Sequence, residues 1–471
     1  MRAEEKKLLK NTFLLVIGNF SSKILVFLFV PLYTFVLSTE EYGISDLLVT
    51  TVNLVYPIVT LMISTAVLRF SLDKDGNSEQ ILSVGFWIQL CGFVLLTLFS
   101  LFFSRNALNA QYLWYFIVYE GTFAVYTLLL QYAKGMEKVG IYAFASTINI
   151  TILSVCNLLF LLRFNMGLHG YILSIIIAYG ATAVFVFIGS GAWRNIILPH
   201  KIDKVIAKSM VHYSVPLMPN SISWWINNSS DRYIMKSYRS MDELGIYSVA
   251  YKIPSIVSTF TSILLSAWEI SAVEEFGTEK SRMFFSQMYK HYFEILTILC
   301  TVLMMFIKPL TSLLFKKDFY TAWVFVPALL FASIFNTMSA FLGTIFTAAK
   351  KTKSIFTTTM FGAITNIVLN FILIPKFGAQ GAAVATAIGY IVIYITRIIG
   401  SQKIMKLDIK VYETIIKILL LTGMAIATCL DSDGAVAIGI IILFIEQNYI
   451  VNLIKTVLGR VYNIINNRIV K

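Results

Sequence analysis

Apolar runs of about twenty residues recur from one end of this chain to the other, and each is long enough to cross a ~30 Å hydrocarbon core as a helix. No other feature restricts the fold as strongly. Backbone groups in hydrocarbon must satisfy one another, so only helices and closed barrels can span it. These runs are continuous rather than alternating, which excludes an outer-membrane barrel. Charged residues make up only 13% of the chain, against roughly a quarter in soluble domains. The expectation is an all-α, polytopic membrane protein.

The runs place about fourteen transmembrane helices at 12–37, 44–68, 81–103, 112–133, 141–162, 168–191, 210–230, 243–268, 289–308, 321–347, 355–374, 380–399, 412–430 and 434–453. The net charge is +13. In a soluble protein that excess would suggest nucleic acid; here it reads as cytoplasmic loops enriched in Lys and Arg, with no nucleic-acid partner. With the N-terminus inside, the inner loops collect Arg2, Lys6, Lys7, Lys10, Lys134, Lys138, Arg194, Lys201, Lys204, Lys208, Lys350, Lys351 and Lys353. The opposite topology would invert the bias, so both termini are expected in the cytoplasm of a bacterial inner membrane. The basic N-terminus leads into a run too long for a signal-peptide core, which reads as a retained first span. Cys91, Cys156, Cys300 and Cys429 all fall in apolar runs and read as small buried hydrophobes rather than a disulfide framework or metal site.

The chain also repeats itself. Ser38-Thr-Glu-Glu-Tyr-Gly-Ile44 links the first two spans, and Ser240-Met-Asp-Glu-Leu-Gly-Ile246 links the seventh and eighth. Gly167-Leu-His-Gly170 opens the sixth span, and Gly378-Ala-Gln-Gly381 opens the twelfth. Every match implies a shift of six helices, an even number, so the two halves enter the membrane in the same direction. The expected organisation is two pseudo-symmetric six-helix halves, 1–200 and 201–406, followed by two further helices and a cytoplasmic tail in 407–471. Internal repeats of this kind are a transporter architecture with the substrate path between the repeats.

Ionisable residues deep in a span cost several kcal/mol unless paired or wet, which makes each a candidate for that path. Lys23 lies near the middle of the first span with Asn19 one turn earlier on the same face. Lys252 is similarly deep in the eighth span, and Glu120 in the fourth. The bland alternative for these is a buried ion pair that fixes helix packing, such as Lys23 with Glu120. In the seventh span, Pro216 and Pro219 predict a kink or break. There Asn220, Trp224, Asn227 and Asp231 form one polar-aromatic stripe, which Arg232 closes. That stripe should face a lumen or a partner helix rather than lipid. Arg69 ends the second span, where a snorkelling role competes with a substrate role. Asn366 with Asn370, and Asn149 with Asn157, read as helix–helix contacts. The four histidines are scattered, and soluble-enzyme motifs such as a phosphate-binding Gly-x-x-x-x-Gly-Lys loop are missing. No metal, cofactor or catalytic residue is expected.

The run Gly18-Asn-Phe-Ser-Ser-Lys23, the Glu-Glu-Tyr-Gly43 turn, Leu68-Arg-Phe70, and Trp224-Trp-Ile-Asn-Asn-Ser-Ser-Asp-Arg232 followed by Gly245-Ile-Tyr-Ser-Val-Ala-Tyr-Lys252 resemble Wzx-type polysaccharide flippases. These sit in the superfamily that also holds the MATE exporters and the MurJ lipid II flippase. The resemblance covers essentially the whole chain. It implies movement of an oligosaccharide linked through pyrophosphate to a polyprenol, from the cytoplasmic to the outer leaflet, by alternating access. Lys23, Lys252 and Arg232 would then meet the pyrophosphate, with Arg69 a further substrate candidate, while Asn19, Asn220, Asn227 and the Trp224/Trp225 pair suit sugar hydroxyls and faces. Glu120 and Asp231 are the candidates for coupling to H+ or Na+, and polymerase or assembly proteins are possible partners. Three other readings compete: a MATE-like drug or cation antiporter, which would want an acidic cavity; a membrane polysaccharide polymerase, which would want a large loop; and a scaffold.

Overall fold

The computed structural model describes residues 27–72, 77–103, 110–278, 280–452 and 454–455. Lys23 and Asn19 lie outside the described residues. The described chain is helical, and none of it is strand. In order, the helices are α1 (Val30–Val36), α2 (Thr39–Val59), α3 (Ile63–Ser71), α4 (Ser78–Phe103), α5 (Ala110–Gly135), α6 (Val139–Asn157), α7 (Gly167–Gly189), α8 (Lys204–Ser214) and α9 (Met218–Tyr238). They continue as α10 (Met241–Ala250), α11 (Lys252–Glu275), α12 (Ser281–Met305), α13 (Ile307–Leu314), α14 (Val326–Ala348), α15 (Thr352–Gln402), α16 (Val411–Cys429) and α17 (Gly434–Ile445).

Eight helices among the described residues are long and apolar enough to cross a membrane, and the bent α12–α13 pair brings the number to nine. One of the eight, Lys353–Gln402, is 50 residues long and holds two expected spans. Gly378, at φ 56° and ψ −136°, separates them; only glycine reaches that backbone region without strain. Residues 12–26 of the first expected span lie outside the described residues and its end is α1; the other remaining spans fall on α9, α10 with α11, and α17.

Local chemistry explains where the helices start and break. Ser38 caps α2 by accepting from the Glu41 N–H (3.1 Å), and Glu41 Oε2 accepts in return from the Ser38 N–H (2.9 Å), a reciprocal capping box. The other Glu41 oxygen accepts from the Leu168 N–H at the start of α7 (3.3 Å), so one carboxylate joins two of the repeated loop motifs. The second span is not continuous: after Pro57 it breaks at Thr60–Met62, with Leu61 and Met62 both at positive φ. Tyr56 and Ser64 hydroxyls meet across the break at 2.7 Å. The ninth span bends by 68° between α12 and α13. The seventh is displaced from its expected 210–230. A 3-10 turn at Val215–Leu217, set by Pro216, splits the short α8 from α9, which runs on to Tyr238.

By contact clustering the chain forms two compact units. The first holds the described residues up to Ser248 together with Leu314–Phe319; the second holds Val249–Leu313 and the residues from Tyr320 onward. The first unit is cored by Ile63, Val67, Leu82, Leu128, Tyr132 and Val186. In the second, α14 is the central helix, with 89% of its span buried. Trp268 stacks on Phe341 (centroids 4.7 Å apart) and donates its indole N–H to Thr344 Oγ1 (2.9 Å). Three of the paired amides make helix–helix contacts: Asn366 donates to Thr386 Oγ1 across the Gly378 break (3.4 Å), Asn149 to Thr182 Oγ1 (3.3 Å) and Asn157 to the Tyr33 hydroxyl (2.8 Å), while Asn370 donates to Asn366 Oδ1 within one helix (2.9 Å). The cysteines are free, but only Cys300 is fully buried, and Cys91 is exposed on α4. The expectation of four buried thiols is corrected: Cys156 and Cys429 are half-buried, the latter donating to the Val324 carbonyl (3.3 Å), and Cys91 lies on an outward face of its helix.

Candidate functional site

The two copies of the loop motif meet each other inside the first unit. A Cβ on Gly43 would lie 2.4 Å from the Met241 carbonyl oxygen, and one on Gly245 would lie 1.8 Å from the Thr39 carbonyl oxygen. Each glycine thus lets the backbone of the other copy approach. The same offset places Asp46 opposite Ser248, 202 residues later, and the Ser248 hydroxyl donates to Asp46 Oδ2 at 2.8 Å. Thr39 Oγ1 donates to Asp242. The contact is close to isologous, as the parallel repeat would produce.

A buried charge cluster sits directly beside it on α2, α9 and α10. The Arg232 guanidinium donates through Nε to Asp46 Oδ2 (2.5 Å) and through Nη1 to Asp231 Oδ1 (3.2 Å) and the Asn228 carbonyl (2.7 Å). Tyr247 Oη donates to the other Asp231 oxygen at 2.6 Å. Arg232 and Asp231 are 6% and 2% exposed. Two carboxylates against one guanidinium leave the trio with a formal charge of −1, softened by the hydroxyl donors Tyr247 and Ser248. Around it, Trp225 donates its indole N–H to the Thr50 carbonyl (2.8 Å), and Tyr233 meets the Thr51 hydroxyl.

The stripe on α9 is graded rather than uniform. Asn227 is buried and donates to the Ser223 carbonyl (3.0 Å), Trp224 is half-buried and Asn220 is exposed. The helix face carrying Asn227 and Asp231 therefore packs inward, while the end carrying Asn220 does not. Arg69 is exposed in the last turn of α3. Lys252 opens α11 in the second unit, half-buried, and among the described residues it makes no ion pair. Glu120 on α5 is fully buried, and neither of its carboxylate oxygens has a hydrogen-bond partner among the described residues.

The structure thus joins Arg232, Asp231 and Asp46, and among the described residues gives Glu120 no partner. Asp46, Tyr247 and Ser248 are absent from the sequence expectation. The available signal for them was the repeat itself: Asp46 and Ser248 stand three residues after Gly43 and Gly245. A second buried charged group lies in the other unit, where Lys417 on α16 meets Glu446 Oε1 (2.5 Å) and approaches Glu294 on α12 (3.8 Å). No group of three His, Cys, Asp or Glu side chains among the described residues could hold a metal ion.

Known proteins resemble the chain along most of its length. The model of the family described as polysaccharide biosynthesis protein matches residues 8–268, and the MatE model matches 216–372. An uncharacterized membrane protein of Methanocaldococcus jannaschii, MJ1375, is 22% identical over 420 residues, which is 85% of this chain and 99% of that protein. Among solved structures, the lipid II flippase MurJ in its inward closed conformation superposes with a TM-score of 0.68 at 15% identity, covering 92% of this chain and 99% of the other. An inward-facing multidrug resistance MATE family transporter of the MOP superfamily gives 0.61 at 13% identity, over 82% and 97%. The fold is therefore that of the MOP-superfamily transporters, and the chain is a multi-pass membrane protein.

Proposed function

The chain belongs to the polysaccharide biosynthesis protein family, and from that premise we propose that it is a flippase for polyprenyl-pyrophosphate-linked oligosaccharides. The observation that carries this reading is a conjunction. A polysaccharide-family chain shares its fold, over 92% of its length, with a flippase whose named substrate is itself a lipid-linked saccharide. The cargo would pass from the cytoplasmic to the outer leaflet of a bacterial inner membrane, with both termini in the cytoplasm. Two six-helix halves, 1–200 and 201–406, would alternate access, with 407–471 as an appended pair.

The residue chemistry supports this assignment. Lys252, half-buried and without an ion pair among the described residues, is a cation available to a pyrophosphate; Lys23 and Arg69 would act alongside it. Asn19, Asn220, Trp224 and Asn227 would meet the glycan. Arg232 is engaged by two carboxylates in this conformation, so it would contact substrate only after exchanging a partner. Of the two coupling candidates, Asp231 is held by Arg232 and Tyr247, whereas Glu120 has no hydrogen-bond partner among the described residues. An isolated carboxylate within a span costs several kcal/mol, so Glu120 is the better site for an H+ or Na+. A second reading, antiport of organic cations, is favoured by that same buried carboxylate and by the MatE match.

The test is leaflet translocation of a fluorescent polyprenyl-pyrophosphate oligosaccharide in proteoliposomes. Wild type should move it. Lys252→Gln should slow it about tenfold or more, the effect of losing one charge-assisted contact worth about 1.5–3 kcal/mol. Glu120→Gln should abolish dependence on an imposed pH or sodium gradient while the protein still binds lipid. Wild type that ignores the lipid but takes up ethidium would establish the antiport reading instead.

A further inference from the structure

In the second unit, the end of α14, the start of α15 and the end of α15 come together around an open cavity of about 360 Å³. Lys351, Lys403 and the hydroxyl-bearing Ser354, Thr357, Thr358 and Thr396 line it, and no Asp or Glu does. The first turn of α15 contains no acidic residue and has no side-chain cap, so its N-terminal dipole adds positive potential there.

Behind this wall lies the most unusual side chain of the unit. Arg397 is 2% exposed, yet its partners are all neutral: Nε donates to Thr358 Oγ1 (3.2 Å), Nη1 to the Ser339 carbonyl (2.6 Å) and Nη2 to Thr359 Oγ1 (3.0 Å). It makes no ion pair with a carboxylate of the described residues. A guanidinium buried without a counter-charge is costly. Thr358 is shared between the guanidinium and the cavity wall, so an anion in the cavity would lie one hydroxyl away from Arg397.

We propose that this cavity binds a phosphate group at headgroup level, the phosphodiester of an anionic phospholipid being the source that its position favours. Lys351 and Lys403 supply the exposed cations, and Arg397 with the α15 N-terminus supplies fixed charge behind them; Ser354 supplies a hydroxyl donor, while Thr357, Thr358 and Thr396 donate to carbonyls of their own helix and only line the wall. The occupied cavity would hold the ends of α14 and α15 together, independently of the transported substrate. By the distribution of Lys and Arg in the loops, this is the cytoplasmic leaflet.

The test uses the full chain, delipidated in neutral detergent, titrated with phosphatidylglycerol, phosphatidylcholine or sodium phosphate. Retention is read by native mass spectrometry and stabilisation by thermal unfolding. Wild type should retain phosphatidylglycerol about tenfold better than phosphatidylcholine, and Lys351→Gln with Lys403→Gln should remove that preference. Lys236→Gln, an exposed lysine elsewhere, should leave it intact. Competition by millimolar phosphate would show that the phosphate itself is recognised. Stabilisation by sodium phosphate but not by phosphatidylglycerol, lost in the double variant, would support a phosphate site and overturn the lipid source. Lipid preference unchanged in the double variant, with no response to phosphate, would overturn the proposal. Arg397→Lys, which keeps the charge but loses the fork, should weaken retention less than the double variant.

Discussion

Gly245→Ala should be among the most damaging single-methyl changes available to this protein. The added Cβ would sit 1.8 Å from the Thr39 carbonyl oxygen and 2.8 Å from its carbon, both backbone atoms that cannot rotate aside. Relief requires α10 and α2 to separate. That movement loosens the Ser248 and Arg232 contacts to Asp46, which depend on the same approach. Overpacking ordinarily costs about 1–3 kcal/mol; with two helix backbones as the obstacle, about 3 kcal/mol or more is expected. Gly43→Ala, at 2.4 Å from the Met241 oxygen, should be damaging too but less so. Gly140→Ala is the control: nothing lies within 4 Å of its Cβ, and alanine is the better helix former by about 1 kcal/mol. The comparison is the yield of monodisperse protein and its unfolding midpoint in detergent. A Gly245→Ala protein that behaves like Gly140→Ala would mean that the two motif copies do not touch.

Those two glycines also show what can be read from a sequence of this kind. The long apolar helices were legible because hydrocarbon thickness sets helix length, and the recurring Glu-x-Gly-Ile marked two segments that the fold brings together. That the repeated glycines pack on one another needs the third dimension. The break at Thr60–Met62 was hidden because Leu61 and Met62, not glycines, take the positive φ values, and Pro57 is the only nearby sign. The 68° bend after Met305 did have a sign, Pro309, which has no N–H for the Met305 carbonyl four residues earlier, but the apolar run continues across it and hides the break. The seventh span was placed too early because the polar residues of α9 depress its hydropathy, so the apolar signal ends before the helix does. Charge pairing was the least legible feature. Asp46 and Arg232 are 186 residues apart, and the burial of Arg397, late in an apolar run, cannot be told from snorkelling without the neighbouring helices.

Arg232→Met should destabilise the first unit by about 3–5 kcal/mol, because it leaves Asp46 and Asp231 facing each other in a buried site without their cation. Asp46→Asn should cost less, since Arg232 keeps Asp231 and the Asn228 carbonyl. The sign of the coupling between them is the useful quantity. In the double variant Arg232→Met with Asp46→Asn one stranded charge is gone, so it should be more stable than Arg232→Met alone. The cycle can be measured by denaturant unfolding in mixed micelles, with Lys236→Met as an exposed control. Additive effects would show that the 2.5 Å contact carries no coupling. The same variants bear on transport. If Arg232 serves only to fasten α9 to α2, translocation per folded molecule should survive in the double variant. If it must also release a carboxylate to meet pyrophosphate, translocation should stay lost even where stability recovers.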